Sequence, residues 1–185
     1  MQEEIKKALE VLNKGGVILQ PTDTIAGLSA DALNPEAYQK IYQIKNRPTE
    51  KKILLLVNNE AMLQNYVNEI PSVAYDLMDF SEKPITIIYP NAINLPEHLI
   101  AEDGSIAIRI VKHNFTEQLI QKLRRPLLST SANTSGKETP VKLQDVEKDI
   151  LSQVDYVVNL PDNSQSKSST IIKLELNGEF KIIRK

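Results

Sequence analysis

The sequence contains no cysteine and no tryptophan, and it has only six glycines and two histidines among 185 residues. Without cysteine there is no disulfide, which agrees with a reducing compartment and predicts a cytoplasmic protein. His98 and His113 lack the spacing of a metal site, so neither a zinc site nor a histidine-dependent triad is expected. The glycines form neither GxxxxGK[ST] nor GxGxxG, which excludes a P-loop or a Rossmann nucleotide site.

Long apolar runs and a strong net charge are also missing. No stretch approaches the length of a membrane span, and the N-terminal MQEEIKKALE lacks a signal-peptide core, so no membrane association is expected. The net charge of −2 means that a phosphate or nucleic-acid partner must be held by a local basic patch. A hydrophobic fraction of 41% and a charged fraction of 25% predict one globular domain spanning residues 1–185.

Helical and strand patterns alternate along the chain. The first helix should end at Gly15-Gly16, and a second helix should begin at Asn34-Pro35 and end before Pro48. The other predicted elements are strands at Gly16–Leu19, Ile53–Val57, Pro84–Tyr89, Ser105–Ile110, Pro126–Thr130 and Asp155–Asn159, two short helices within 59–80 separated at Pro71, and helices at Asn114–Leu123 and Leu143–Leu151.

A hairpin is predicted at the end of the chain. Strands at Thr170–Leu176 and Phe180–Ile183 flank Asn177-Gly178, the pair that type I′ turns prefer. Interleaved helices and strands with a terminal hairpin predict an α/β fold with a twisted mixed β-sheet and flanking helices.

The first of three polar segments that follow apolar strands is Pro21-Thr22-Asp23-Thr24. Open α/β sheets usually bind ligands at the ends of strands, so these hydroxyls and the carboxylate could hold a small polar substrate. A turn capped by its own side chains is the alternative.

The second polar segment is Lys45-Asn46-Arg47-Pro48. Because proline disfavours helix at the residue before it, we predict an extended tripeptide in which Lys45 and Arg47 point the same way. Paired cations suit a triphosphate. The alternative is a helix C-terminus whose charges are solvated.

The third polar segment runs from Ser129 to Asn133. Strand alternation would align Ser129, Ser131 and Asn133 on one side, where they could bind phosphate oxygens or a ribose. The same residues could instead cap the strand before a turn at Ser135-Gly136.

Arg109 lies in an otherwise apolar strand. The isoleucines of Ile106–Ile110 fill one face, which leaves Arg109 on the other. A guanidinium on a central strand must meet an anion, because an unpaired buried charge costs several kcal/mol. A substrate carboxylate and a structural salt bridge are both possible partners.

Taken in order, these segments resemble the YrdC/TsaC family, the threonylcarbamoyl-AMP synthases. The resemblance runs through the whole chain: GGVILQPTDTIAGLSADA, IYQIKNRP, KPITIIYP, SIAIRI, PLLSTSANTSG, VDYVV, SSTIIK and the terminal IIR. Its most specific part is a PTxT turn, a KxR pair and an SxN pair in this order. The resemblance implies the YrdC-like fold, with its sheet and helices around a concave basic cavity.

The resemblance also implies an enzyme, a nucleotidyltransferase that forms L-threonylcarbamoyladenylate and pyrophosphate from L-threonine, bicarbonate and ATP. The product would serve threonylcarbamoyladenosine modification of tRNA and pass to downstream tRNA threonylcarbamoyl-transferase proteins. ATP would be a substrate that carries Mg²⁺, without a metal site on the protein. The competing hypothesis is an RNA-binding module, for tRNA or double-stranded RNA, without catalytic activity.

The same resemblance assigns site residues. The residues matched to ATP binding are Lys45, Arg47, Ser131, Asn133, Thr139 and Arg184, of which Lys45 and Arg47 would be catalytic. The residues matched to threonine binding are Thr24, Arg109, Ser129 and Ser169.

Three positions depart from the family pattern. Ala26 stands where the family usually has tyrosine, so the shape of the threonine-side pocket should differ. Lys52 and Val111 stand where the family usually has proline, and Lys52 should add a cation near the phosphates. The polar segment Pro161–Ser169 is the candidate lid over the site.

Overall fold

The computed structural model describes residues 1–161 and 168–185. Its α-helices are α1 Gln2–Asn13, α2 Pro35–Lys45, α3 Glu60–Leu63, α4 Ser72–Asp79, α5 Asn114–Leu123 and α6 Lys148–Leu151. Its strands are β1 Ile18–Gln20, β2 Gly27–Asp31, β3 Leu54–Val57, β4 Ile85–Tyr89, β5 Ile106–Ile110, β6 Leu127–Ser131, β7 Tyr156–Val157, β8 Thr170–Leu174 and β9 Phe180–Arg184. Short 3₁₀ turns lie at Glu97–Leu99 and Leu143–Asp145.

The strands form a nine-stranded sheet in the order β7-β1-β2-β6-β3-β5-β4-β8-β9. Parallel pairs (β1 with β7, β3 with β5, β4 with β8) occur among antiparallel ones. The predicted α/β fold with a mixed sheet and flanking helices is therefore confirmed. None of the helices described is long and apolar enough to cross a membrane.

Two apolar layers pack on the two faces of the sheet. On one face, α1 and α5 contribute Leu12 and Phe115 to a layer that also contains Leu56 of β3. On the other face, α2 contributes Ile41 to a larger layer that contains Leu55. The alternation of Leu55 and Leu56 between layers is the period-two pattern of a strand buried on both faces.

Several local signals act as the sequence predicts. The Asn34 side chain accepts hydrogen bonds from the backbone N–H groups of Glu36 (2.9 Å) and Ala37 (3.1 Å), and so caps α2. The two short helices α3 and α4 are separated at Pro71, and α5 has the bounds predicted for it.

The turn of the terminal hairpin differs from the type I′ prediction. The N–H of Gly178 donates to the carbonyl of Glu175, so Leu176 and Asn177 are the central turn residues. Gly178 has a φ of 86°, whereas Asn177 is not among the residues with positive φ. This is the three-residue loop in which a glycine in the left-handed region follows a type I turn.

The helix predicted at Leu143–Leu151 is interrupted. A 3₁₀ turn at Leu143–Asp145 and the short α6 are separated by Val146 and Glu147, which have extended backbone angles. The Asp145 carboxylate accepts a bond from the N–H of Lys142 at 3.4 Å, which is the contact of a capping box at the start of the 3₁₀ turn.

The prediction from Pro48 that residues 45–47 are extended is also wrong. Lys45 is the last residue of α2, and Asn46 ends the helix in the left-handed region with φ 47° and ψ 50°. Proline restricts only the residue immediately before it, so Pro48 leaves Lys45 free to remain helical.

Candidate functional site

A cavity of about 380 Å³ lies on the same face of the sheet as α1 and α5, beside these helices. Arg109 pairs with Leu56, and paired residues point to the same face, which places Arg109 in the cavity wall. All the site residues predicted from the resemblance line this cavity except Lys45 and Asn133: Thr24, Arg47, Arg109, Ser129, Ser131, Thr139, Ser169 and Arg184.

The charged residues that the structure describes in the wall are all cations. Arg47, Lys52, Arg109 and Arg184 line the cavity, and among the described residues no aspartate or glutamate does. Because water is partly excluded there, such a wall favours anionic ligands.

Arg109 is held in place from two sides. Its Nη2 lies 3.2 Å from Asp23 Oδ1, and its Nη1 donates to Thr24 Oγ1 at 3.4 Å. Only 5% of Arg109 is exposed, and its Nε has no partner among the described residues. Burial lowers the pKa of Arg109, an effect that Asp23 opposes and Arg184 reinforces. The guanidinium is therefore both structurally paired and available to an anion.

The Thr22–Thr24 turn agrees with both interpretations of its sequence, a group of polar side chains in a binding site and a turn capped by its own side chains. Thr22 Oγ1 lies 2.9 Å from Thr24 Oγ1 and donates to the carbonyl of Ile25 at 2.7 Å, so the turn is capped by its own side chain. Both threonines also line the cavity. The cap thus fixes the hydroxyls in the wall.

Arg47 is oriented by the backbone that follows it. Its Nε donates to the carbonyl of Lys51 (2.7 Å) and its Nη2 to the carbonyl of Lys52 (3.0 Å). The Lys52 ammonium donates to the carbonyl of His98 at 2.9 Å and lines the same cavity. The departure at Lys52 therefore places a further cation in the wall.

Lys45 is not in the cavity wall. Its side chain is 1% exposed, and Nζ donates to the carbonyls of Ser131 (2.6 Å) and Asn133 (2.7 Å). The side chain of Asn133 is turned away as well, since its Nδ2 donates to the carbonyl of Lys137 at 2.7 Å. Lys45 therefore secures the loop after β6, and strand alternation ends at Ser131 before it reaches Asn133.

Lys45 should make the stability of the protein depend on pH. Burial, followed by the charge of Arg47, lowers the pKa of Lys45 from 10.5 to about 8. Between these values the unfolded chain holds a proton that the folded chain has released, so the folded state gains stability as the pH rises. We expect the unfolding free energy of the protein, minus that of Lys45→Met, to rise by up to roughly 3 kcal/mol across this window.

Urea unfolding of both proteins across this pH range measures the difference between their unfolding free energies. The contributions of the other titrating groups cancel because both proteins contain them. Lys51→Met removes an exposed lysine and serves as the control for the loss of one positive charge. Parallel pH curves for the protein and Lys45→Met would contradict the lowered pKa.

Ser169 and Arg184 join the last two strands to the cavity. Thr86 Oγ1 lies 2.8 Å from Ser169 Oγ, and Arg184 Nη2 donates to the carbonyl of Ser169 at 2.9 Å. Residues 162–167 of the candidate lid, Pro161–Ser169, lie outside the described residues. Its last residues, Ser168 and Ser169, line the cavity.

Sequence reasoning missed Thr86 as a wall residue. Thr86 is fully buried in β4, next to isoleucines, and its hydroxyl faces the cavity. The signal was a single hydroxyl in the strand Ile-Thr-Ile-Ile-Tyr, which needs a polar partner once it is buried.

The other two departures lie in the apolar layers. Ala26 is fully buried in the layer on the far face of the sheet and is not a wall residue. Val111 is buried under α5, and its N–H donates to the carbonyl of Val57 at 3.0 Å, a bond that proline could not make.

The described residues contain no group of three or more histidines, aspartates or glutamates that could hold a metal ion. The donors of the wall are hydroxyls and cations, which bind oxyanions.

The mixed sheet, its flanking helices and the cavity on one face define an α/β protein whose described wall cations suit anionic ligands. The Sua5/YciO/YrdC family model, described as telomere recombination, matches residues 10–185. The chain belongs to this family.

Curated relatives extend over nearly the whole chain. A putative threonylcarbamoyl-AMP synthase of Methanocaldococcus jannaschii is 40% identical over 181 residues, which cover 94% of this chain and 84% of the relative. The threonylcarbamoyl-AMP synthase of Pseudoalteromonas translucida is 34% identical over 181 residues and 96% of both chains.

A solved relative contains one of the expected ligands. The structure of P. abyssi Sua5 complexed with L-threonine matches with a TM-score of 0.87 at 26% identity, over 97% of this chain and 53% of that one. The chain thus spans about half the length of the P. abyssi protein.

Proposed function

We propose that this chain is a threonylcarbamoyl-AMP synthase, a nucleotidyltransferase that forms L-threonylcarbamoyladenylate and pyrophosphate from L-threonine, bicarbonate and ATP. The observation that carries the proposal is the cavity wall, in which the charged residues that the structure describes are all cations and lie among serine and threonine hydroxyls. The names of the relatives and the L-threonine bound by a neighbour support it.

The wall residues are assigned to the two substrates as the resemblance implies. Arg109 and Thr24 would bind the threonine carboxylate, with Ser129 and Ser169 beside them. Arg47, Lys52 and Arg184 would bind phosphate oxygens, together with Ser131 and Thr139. Lys45 and Asn133 would act on ATP indirectly, because they hold the end of β6, where Ser131 lies.

The reaction requires positioning more than covalent catalysis. The threonine nitrogen attacks the bicarbonate carbon, and loss of water gives a carbamate. A carbamate oxygen then attacks the α-phosphorus, and the bond to pyrophosphate breaks. Arg47 would stabilise the charge on the transferring phosphoryl group, and the wall would hold the two anions together against their repulsion.

Mg²⁺ would enter with ATP and neutralise charge on the phosphates. Since the described wall residues include no carboxylate, we propose that phosphate oxygens and not protein side chains hold the ion.

The product is a labile mixed anhydride, so we propose that tRNA threonylcarbamoyl-transferase proteins consume it in the cytoplasm. The alternative of an RNA-binding module without activity is not favoured. Four cations of the chain line a cavity sized for small molecules: Arg47, Lys52, Arg109 and Arg184. The curated relatives are named as synthases.

The proposal is tested by pyrophosphate release from ATP, with mass spectrometry of the product formed from labelled bicarbonate. We expect release only when L-threonine and bicarbonate are both present, and a product that contains the label, threonine and AMP. Release that is independent of threonine, or a product without the label, would contradict the assignment.

A further inference from the structure

Four polar side chains lie buried between the sheet and α5. Thr116, Gln20 and Ser29 are each 0% exposed, and Ser129 is 5% exposed. The residues around the first three are the aliphatic and phenyl side chains of the α1 and α5 layer. Because a buried polar group is costly unless it is hydrogen-bonded, these side chains must satisfy one another.

Their contacts form a continuous row, which we call the polar chain. Thr116 Oγ1 donates to Gln20 Oε1 at 3.4 Å, and Gln20 Nε2 donates to Ser29 Oγ at 2.8 Å. Ser29 Oγ then donates to Ser129 Oγ at 3.5 Å. Ser29 and Ser129 are directly paired residues of β2 and β6, so the sheet register keeps them adjacent.

The polar chain has a direction. A serine hydroxyl carries a single hydrogen. The amide of Gln20 supplies a hydrogen to Ser29, and Ser29 directs its own hydrogen to Ser129. Ser129 Oγ therefore accepts one hydrogen bond from Ser29, and its own hydrogen is directed elsewhere. Within residues 1–161 and 168–185 no protein acceptor meets its remaining hydrogen, and Ser129 lines the cavity.

We propose that Thr116, Gln20 and Ser29 are positioning residues that fix Ser129 as a hydrogen-bond donor to an anionic oxygen in the cavity. The acceptor for the Ser129 hydrogen is then a carboxylate, bicarbonate or phosphate oxygen. This inference rests on the proposed function for the identity of the ligands, and adds the chemistry of one contact.

The far end of the polar chain gives a test that needs no turnover. His113 Nδ1 lies 3.1 Å from Thr116 Oγ1. Since Thr116 gives its hydrogen to Gln20, Nδ1 must be the donor of this contact. We expect the ring nitrogen shifts of neutral His113 in the ¹⁵N NMR spectrum to show a proton on Nδ1, with His98→Gln used to assign the signals. A proton on Nε2 instead would overturn the direction of the polar chain.

A double-mutant cycle tests the link to the cavity. Ser129→Ala should raise the KM of one substrate by about tenfold, the loss expected for a hydrogen bond to a charged group. Ser29→Ala should raise the same KM by a smaller factor, and should change nothing further in the Ser129→Ala background. Effects that multiply, or a Ser29→Ala variant with unchanged KM values, would overturn the proposal. The substrate whose KM moves (L-threonine, bicarbonate or ATP) identifies the oxygen.

Ile120→Val is the matched control, because Ile120 is fully buried in the same layer and makes no side-chain hydrogen bond. Ile120→Val should change the KM by the same factor in the native protein and in the Ser129→Ala background. If Ser29→Ala does not fold, Thr116→Val removes the first donor with little change of shape and should raise the same KM. If the native protein shows no synthase activity, the proposed function fails while the NMR result still decides the direction of the polar chain.

Discussion

Replacing Arg109 by methionine is expected to raise the KM for L-threonine by about a hundredfold or more, with a much smaller change in the KM for ATP. The guanidinium is almost completely buried and held by Asp23 and Thr24. Its contact with a carboxylate would therefore be charge-assisted, rigid and poorly hydrated, worth about 3 kcal/mol. Steady-state kinetics with each substrate varied in turn measures the effect.

Lys112→Met is the matched control. Lys112 is the second residue after β5, is exposed, and contributes its side chain to a different pocket, so this variant changes the net charge equally. Its KM values should be close to those of the native protein. Arg109→Lys should recover only part of the activity, because an ammonium cannot make two parallel bonds to a carboxylate. Equal KM changes for Arg109→Met and Lys112→Met would rule out a carboxylate site at Arg109.

The second large effect is expected at Arg47. Arg47→Met should lower kcat by about a hundredfold, because the carbonyls of Lys51 and Lys52 hold the guanidinium in the wall, and charge on the transferring phosphoryl group would lose its stabilisation. Pyrophosphate release at saturating substrates measures kcat directly.

Lys51→Met is the control for Arg47, since it removes an exposed cation from the adjacent backbone and leaves the carbonyl that Arg47 contacts. We expect it to keep near-native kcat. A loss confined to the KM for ATP in Arg47→Met would instead assign Arg47 to ground-state binding.

Strand alternation, a local property, correctly grouped Ser129 with Ser131 and turned Arg109 away from the isoleucines, whereas the other wall residues were assigned through the resemblance to the family. Arg109 faces the cavity because its neighbours in Ile106–Ile110 are apolar on the other face, a pattern visible in five residues. Helix α2 was also predictable, since the Asn34-Pro35 start signal is local. In such segments the local preference and the tertiary structure agree.

The structure differs from the expected wall where tertiary contacts decide. Lys45 and Asn133 lie on different elements, and only the fold shows that the lysine donates to the carbonyl oxygen of the asparagine. The polar chain was missed for the same reason. Gln20 and Thr116 are 96 positions apart, and no local pattern indicates their contact.

The cavity also depends on segments from opposite ends of the chain. Arg184 of the last strand, β9, contacts Ser169, and both line a wall that includes Thr24 from near the start. Strand β1 pairs with β7, from late in the sequence. Contacts with such wide sequence separation delay folding. A nascent chain on the ribosome therefore has no complete cavity wall until β9 has emerged, and ligands cannot contribute to its stability before that point.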